Sequence, residues 1–366
     1  MKLIIAVATL VLVALCRTNH SMKKFLSLLC VVLAIHSMMA QSKTYTVAFT
    51  GDIMMGTTYP SVQLPSQEGR QLFVDAAPIL RRADVAAGNL EGTLCDGGDT
   101  HKKISKICYA FRTPTSFAPR LSEAGFDFLS MANNHAHDFG EVGIRSTMQC
   151  LDRLGIKYSG IKNFPDHAIV ERNGVKYGFC AFGHNDYTYR HQDIDRVRQI
   201  ITTLANACDI VIVSFHGGAE GASKARLPYG KEVFCGEDRG TLRQFAHFCI
   251  DAGADVVYGH GPHVARAMEV YKEHFIAYSL GNFCTPYGIS LSGISGYAPL
   301  LELQIDSAGR FQGGKIHSFV QHRGQGPRID SNNAAAREIS RLTKLDFPHG
   351  LLQVSADGTL SRKRNQ

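Results

Sequence analysis

The chain has 366 residues, 45% of them hydrophobic, with a formal charge of +7, ten cysteines and no tryptophan. That length holds one large domain or two modest ones. Lys2, Arg17, Lys23 and Lys24 are the only charged residues among the first forty, so the charge beyond residue 40 falls to +3. No basic tract remains that would argue for a nucleic-acid partner.

Residues 1–40 read as a signal region. Met22-Lys23-Lys24 precedes an apolar run from Phe25 to Ile35 and a small residue, Ala40, which is the order of a secretory signal. A second such unit runs from Met1 to Cys16, so Met22 is the expected true start. Each run is shorter than the ~20 apolar residues of a spanning helix. The protein is therefore expected to be exported, to the periplasm or cell surface. Membrane association would come only through a lipid anchor at Cys16 or Cys30, which Leu15 and Leu29 disfavour. Eight cysteines remain without a CxxC pattern, which argues against a zinc knuckle. Cys95 with Cys108 is the pair placed to close a loop in an oxidising compartment.

From residue 44, strand and helix patterns alternate. Strands are expected at Tyr45 to Thr50 and Val85 to Ala87, with a helix at Gln71 to Arg82 between them. A helix at Thr115 to Glu123 leads to a strand at Phe126 to Met131, then to an amphipathic helix from Gly140 to Leu154. Asn173-Gly174 marks a hairpin between Ala168 to Glu171 and Val175 to Phe182. A helix at Asp193 to Ala207, a strand at Ile210 to Phe215 and a helix at Thr241 to Ala252 follow. The apolar run Asp255 to Tyr258 stops in Gly259-His260-Gly261-Pro262-His263. Strands at Met268 to Tyr271, Phe275 to Leu280, Tyr297 to Ile305 and Phe311 to Gln321 complete one domain, residues 41–323. This is an α/β pattern, with mixed sheets and helices on the outer faces. Residues 324–366 form a C-terminal extension with a short helix, Ala334 to Leu345, and a hairpin.

Five strands end in polar motifs: Gly51-Asp52, Asn89-Leu90-Glu91, Asn133-Asn134-His135, His216-Gly217-Gly218 and Gly259 to His263. Parallel strands put such ends on one sheet edge. Taken singly, Asp52 could cap a turn, Glu91 could be solvated, Asn134 could bond its own backbone, and His135, His137 and Asp138 could brace their loop. Together they form an oxygen- and nitrogen-rich set suited to a divalent metal such as manganese, zinc or iron.

These motifs, with Tyr278-Ser279-Leu280-Gly281-Asn282-Phe283, resemble in order the CapA family of bacterial capsule and poly-γ-glutamate synthesis proteins. That family looks like part of the calcineurin-like metallophosphoesterase superfamily. The resemblance implies a four-layer α/β/β/α sandwich and a metal-dependent phosphoesterase-like hydrolase holding one or two ions. Its implied ligands are Asp52, Glu91 (near the place of a bridging aspartate), Asn134, His216, His260 and His263. His135, His137 and Asp138 take the catalytic places. Glu220, Asn282 and Arg112, with Lys224 and Arg226, are candidates to hold an anionic polymer or phosphoester, and capsule-assembly proteins are the implied partners. Met54 departs from the pattern, because the superfamily has histidine there; Glu220 or His137 could replace it. Gly217 stands where relatives often carry tryptophan. A non-catalytic polymer-binding component with a degenerate metal site is the alternative, and hydrolysis of a γ-glutamyl amide is a third reading.

Overall fold

The computed structural model describes residues 43–100, 102 and 108–363; the signal region, Met22 and both anchor cysteines lie outside them. In chain order the strands are β1 (Thr44–Ile53), β2 (Val85–Leu90), β3 (Thr93–Leu94), β4 (Arg112–Thr113), β5 (Phe128–Ser130), β6 (Lys157–Ser159), β7 (His167–Arg172), β8 (Val175–Phe182), β9 (Ile210–His216), β10 (Glu232–Phe234), β11 (Glu237–Gly240), β12 (Val256–His260), β13 (Met268–Tyr271), β14 (His274–Ala277), β15 (Asn282–Cys284), β16 (Tyr297–Asp306), β17 (Phe311–Gln321), β18 (Pro327–Ile329), β19 (Leu352–Val354) and β20 (Thr359–Arg362). The α-helices are α1 (Ala77–Leu80), α2 (Pro119–Ala124), α3 (Gly140–Leu154), α4 (Ile194–Ala207), α5 (Leu242–Asp251) and α6 (Ala334–Asp346).

Two mixed sheets carry the fold. One runs β19-β20-β17-β16-β1-β2-β5-β6, with β15 beside β1 and β18 beside β17; the other runs β13-β14-β12-β9-β8-β7. Their inner faces meet in one apolar core, where Phe49 packs on Tyr258 and Phe128 on Phe179, with ring centroids 4.6 Å apart in each pair. A second core lies between the large sheet and α1, α2 and α3, and a third between the other sheet and α4 and α5. The layer order is therefore α/β/β/α, as the resemblance implied. Residues 324–366 do not stand apart: β18 and β20 pair with β17, and Ala336 and Ile339 of α6 join the inter-sheet core.

Three expectations need correction. The five motif-bearing strands do not share one sheet; β1, β2 and β5 lie in the large sheet, and β9 and β12 in the other. The helix expected over residues 71–82 shrinks to Ala77–Leu80, because Pro78 lacks an amide and its ring cannot sit inside a helix. Pro119 likewise splits the next one into a 3-10 turn, Thr115–Phe117, and α2. All eight cysteines of the domain are free; Cys95 is buried, its thiol 3.3 Å from the Thr93 hydroxyl. Among the described residues no helix is long and apolar enough to cross a membrane.

Candidate metal centre

β1 changes partner at the point where its chemistry begins. Its antiparallel ladder with β16 ends at Thr50, and β15 takes over in parallel with Asp52 opposite Asn282. On the other side Asp52 lies opposite Asn89 of β2, which in turn lies opposite Ser130 at the end of β5. In the facing sheet His260 lies opposite His216. Sheet register alone thus places four of the motifs. Gly51 permits the crossing into β15, since a Cβ there would sit 1.9 Å from the Gly281 carbonyl oxygen. Gly261, at φ +117°, turns the chain between His260 and His263, and a Cβ on it would sit 2.3 Å from the Gly217 carbonyl oxygen.

The ligand atoms of Asp52, Glu91 and His263 lie within 4.8 Å of one another. Asp52 Oδ1 accepts from Asn89 Nδ2 at 2.8 Å, and Oδ2 accepts from His263 Nδ1 at 3.2 Å. His260 Nδ1 stands 3.5 Å from Asp52 Oδ1. His263 shares its Nδ1 proton with Asn282 Oδ1 at 3.1 Å, which turns Nε2 toward Glu91 (3.7 Å) and Glu220 (3.9 Å).

Buried polar atoms normally find partners. Here both carboxylate oxygens of Glu91, Asn134 Oδ1, His216 Nε2 and both ring nitrogens of His260 make no hydrogen bond among the described residues. All of them belong to the expected ligand set, and these atoms are the ones a cation would take.

The electrostatics agree. Burial alone would raise the Asp52 carboxyl, but the hydrogen bond and charge of His263, with His260 and Asn89, bring it below the usual range. Burial holds Glu91 well above its ordinary value, and the charges of Asp52 and Glu220 add to this. Burial keeps His260 neutral, its pKa pulled down to about 4 against the pull of Asp52. It also holds His216 well below the ordinary value, with His184, His263 and His260 adding to the effect. His263 is the exception: burial opposes its charge, but Glu91 and Asp52 raise it to about 10. Two buried carboxylates therefore recruit a positive charge, and two neutral imidazoles keep lone pairs free beside them. That donor set fits a divalent cation.

His135 stands next to this group. Its Nδ1 is 2.9 Å from Asp138 Oδ2, Phe111 packs on its ring, and the Phe111 amide donates to the same carboxylate at 2.6 Å. Lys102 Nζ reaches Asp138 Oδ1 at 2.5 Å and the Asn134 carbonyl at 2.9 Å. Burial lowers the His135 pKa despite Asp138.

Three expected roles change. His137 is exposed and stacks on Tyr187 at 4.9 Å, so it does not stand in for the histidine missing at Met54. Asn282 is wholly buried; its amide donates to the carbonyls of His263 and Ser295, so it holds His263 and does not face a substrate. Arg112 donates to Thr58 and the Gly98 carbonyl and lies against the Tyr59 and Phe139 rings, bracing a loop. Met54 is buried, with its sulfur 3.3 Å from the Gly56 amide. Glu220 is the carboxylate brought toward His263, anchored by Arg239 at 2.9 Å. Sequence reasoning missed Asn89 and Asn133, whose amides form a relay from Asp52 through Asn89 to the Leu90 carbonyl.

A family model described as bacterial capsule synthesis protein PGA_cap matches residues 46–287. The chain belongs to this family. Among PGA_cap relatives, the PGA biosynthesis protein CapA of Bacillus subtilis (strain 168) is 30% identical over 291 residues, covering 74% of this chain and 72% of that protein. The capsule biosynthesis protein CapA of Bacillus anthracis is 28% identical over 268 residues, 68% of this chain and 61% of that one. A solved 5′-nucleotidase precursor from Thermus thermophilus overlays with a TM-score of 0.44 and 13% identity, over 76% of this chain and 54% of that one. The PGA_cap match spans every motif of the centre and stops before α6.

Proposed function

We propose that the chain is an exported, metal-dependent phosphoesterase-like protein of the cell envelope, serving capsule or poly-γ-glutamate synthesis. The observation that carries the reading is the group of buried ligand atoms without hydrogen bonds on Glu91, His216 and His260 around Asp52 and His263, with that of Asn134 in the loop after β5. These six residues would hold one or two manganese, zinc or iron ions, with Glu220 as the nearest substitute for the ligand absent at Met54. A divalent ion there supplies Lewis-acid polarisation of a phosphoryl oxygen and of an attacking water. Asp138 accepts the Nδ1 proton of His135, which leaves the Nε2 lone pair of the neutral ring to take up a proton from a water or substrate group and then release that proton to the departing oxygen. Asn89 and Asn282 orient Asp52 and His263. The sandwich floor keeps bulk water from the buried side of the site.

One observation favours a second reading. Met54 is packed and gives no nitrogen ligand, which suits a non-catalytic polymer-binding or assembly component. Metal content of the purified full chain, with hydrolysis of bis-p-nitrophenyl phosphate in added manganese or zinc, separates the two. The hydrolase reading expects bound metal, metal-dependent turnover and loss of both in His260→Ala. Metal-free protein whose His260→Ala variant matches wild type in every assay would sink it.

A further inference from the structure

The segment beyond the family match builds a basic groove that nothing in the strand-end motifs foreshadows. Arg337, Arg341 and Lys344 lie at i, i+4 and i+7 on the exposed face of α6, one flank of the helix. With Lys363, just past β20, they line a groove of about 1000 Å³ whose other walls include Ser340, Gln353 and Ser355. Among the described residues no carboxylate lines it. Glu338 nearby is engaged bidentately by Arg341, at 2.9 and 2.7 Å, and Asp357 by Lys315 at 2.9 Å. Arg337, Lys344 and Lys363 have no ion-pair partner among the described residues.

At Leu345 this groove meets a second cavity of about 490 Å³, walled by Lys224, Arg226, Lys231 and Arg243. Its two carboxylates are spent internally. Glu232 accepts from Arg266 at 2.8 and 2.7 Å and from the Ala219 amide; Asp346 accepts from Arg226 at 2.5 Å and from the Leu227 amide. Lys231 is offset by Asp238 at 3.5 Å, and Arg243 lies over the Tyr229 and Phe347 rings. The second cavity ends at Ala219, next to Glu220, the residue that faces His263.

We infer that these two cavities form one continuous track for a flexible polycarboxylate chain, leading along α6 to the loop that carries Glu220. Charge complementarity selects a polyanion. The groove on α6 is lined by no aromatic side chain among the described residues, and Tyr229, which lines the second cavity, already has Arg243 over its ring, which disfavours stacking of single-stranded nucleic acid. The inference rests on the proposed function only for the nature of the polymer; the track itself needs no metal.

The test is fluorescence anisotropy of labelled poly-γ-glutamate with the full chain at low ionic strength, with and without a chelator, against an oligothymidylate of equal charge. Wild type is expected to bind poly-γ-glutamate more tightly than oligothymidylate, in a salt-dependent and chelator-independent way. R337E/K344E should bind about tenfold more weakly with a shallower salt dependence. Lys157→Glu, at the exposed first residue of β6 on the opposite edge of the large sheet, should match wild type. If R337E/K344E does not fold, R337Q/K344Q is read in its place, with weaker binding again expected. No binding by wild type, equal binding by the groove variant, or equal or tighter binding of oligothymidylate overturns the inference. Binding abolished by the chelator also overturns the track while leaving the proposed hydrolase intact. Loss of phosphodiester hydrolysis with unchanged polymer binding removes only the proposed function.

Discussion

Replacing Glu91 with glutamine keeps the shape of the side chain and removes its ability to ionise, and the centre predicts opposite effects in its two states. In metal-free protein Glu91 is fully buried beside Asp52, and neither of its carboxylate oxygens meets a donor. Burial holds the folded Glu91 carboxyl well above its ordinary range, so folding at neutral pH must retain a proton that the unfolded chain releases, a cost that non-ionising glutamine avoids. Glu91→Gln should therefore raise the metal-free Tm, by about 1.5 °C for each kcal/mol recovered in a domain of this size. With metal present the sign reverses. At a free metal concentration about a hundred times Kd, binding stabilises the native state by about 2.7 kcal/mol; a hundredfold loss of affinity leaves about 0.4 kcal/mol. Calorimetry after chelation, repeated with manganese or zinc, reads both numbers. A variant with a lower metal-free Tm and an undiminished metal-induced rise would refute the placement of Glu91 among the ligands.

Other outcomes follow from the same contacts. Asn282→Ala should cost about 1–3 kcal/mol through the stranded carbonyls of His263 and Ser295, and should weaken metal binding measured by equilibrium dialysis. Unchanged affinity would show that His263 is held by its backbone alone. Gly261→Ala should fail to bind metal or fold less stably, because its φ and the Gly217 carbonyl leave no room for a methyl group; a wild-type melting curve would contradict this. Burial, aided by Asp306, raises Asp255 to about 7 although the Val211 amide opposes it. The folded state then keeps a proton that the unfolded chain releases near pH 4, so this group costs stability increasingly as pH rises from about 4 to 7. The Tm advantage of Asp255→Asn over wild type should grow across that window, and a constant difference would exclude the shift. Asp346→Ala should loosen the 224–227 segment from α6, detected as faster amide exchange at Leu227.

The strand-end motifs were legible because glycine and a polar residue after an apolar run is a local signal. Asp52, Glu91, Asn134, His216, His260 and His263 stood out for that reason. Their distribution over two sheets was not legible, since the alternation of strands and helices is the same whether parallel strands lie in one sheet or face each other across a core. Asn89 and Asn133 were quoted within motifs, but their support of Asp52 depends on register between β1 and β2. Arg112 and Asn282 looked like substrate groups because a charge or amide near a site carries no mark of where it points. The basic groove was hidden for another reason: Lys363 comes to α6 only once β20 has paired with β17 and β19.

The change of partner along β1 also has a consequence for how the molecule comes into being. The first strand among the described residues is flanked on one side by β15 and β16, which emerge more than two hundred residues later, so that ladder closes across most of the chain. Such long-range pairing is slow to form, because the chain entropy of closure is lost before the contacts form. A nascent or truncated chain ending before Asn282 would have Asp52, Glu91 and β2 but neither β15 on the other side of Asp52 nor the amide that aims His263. Competence at the centre is therefore a property of the finished polypeptide, acquired late and all together.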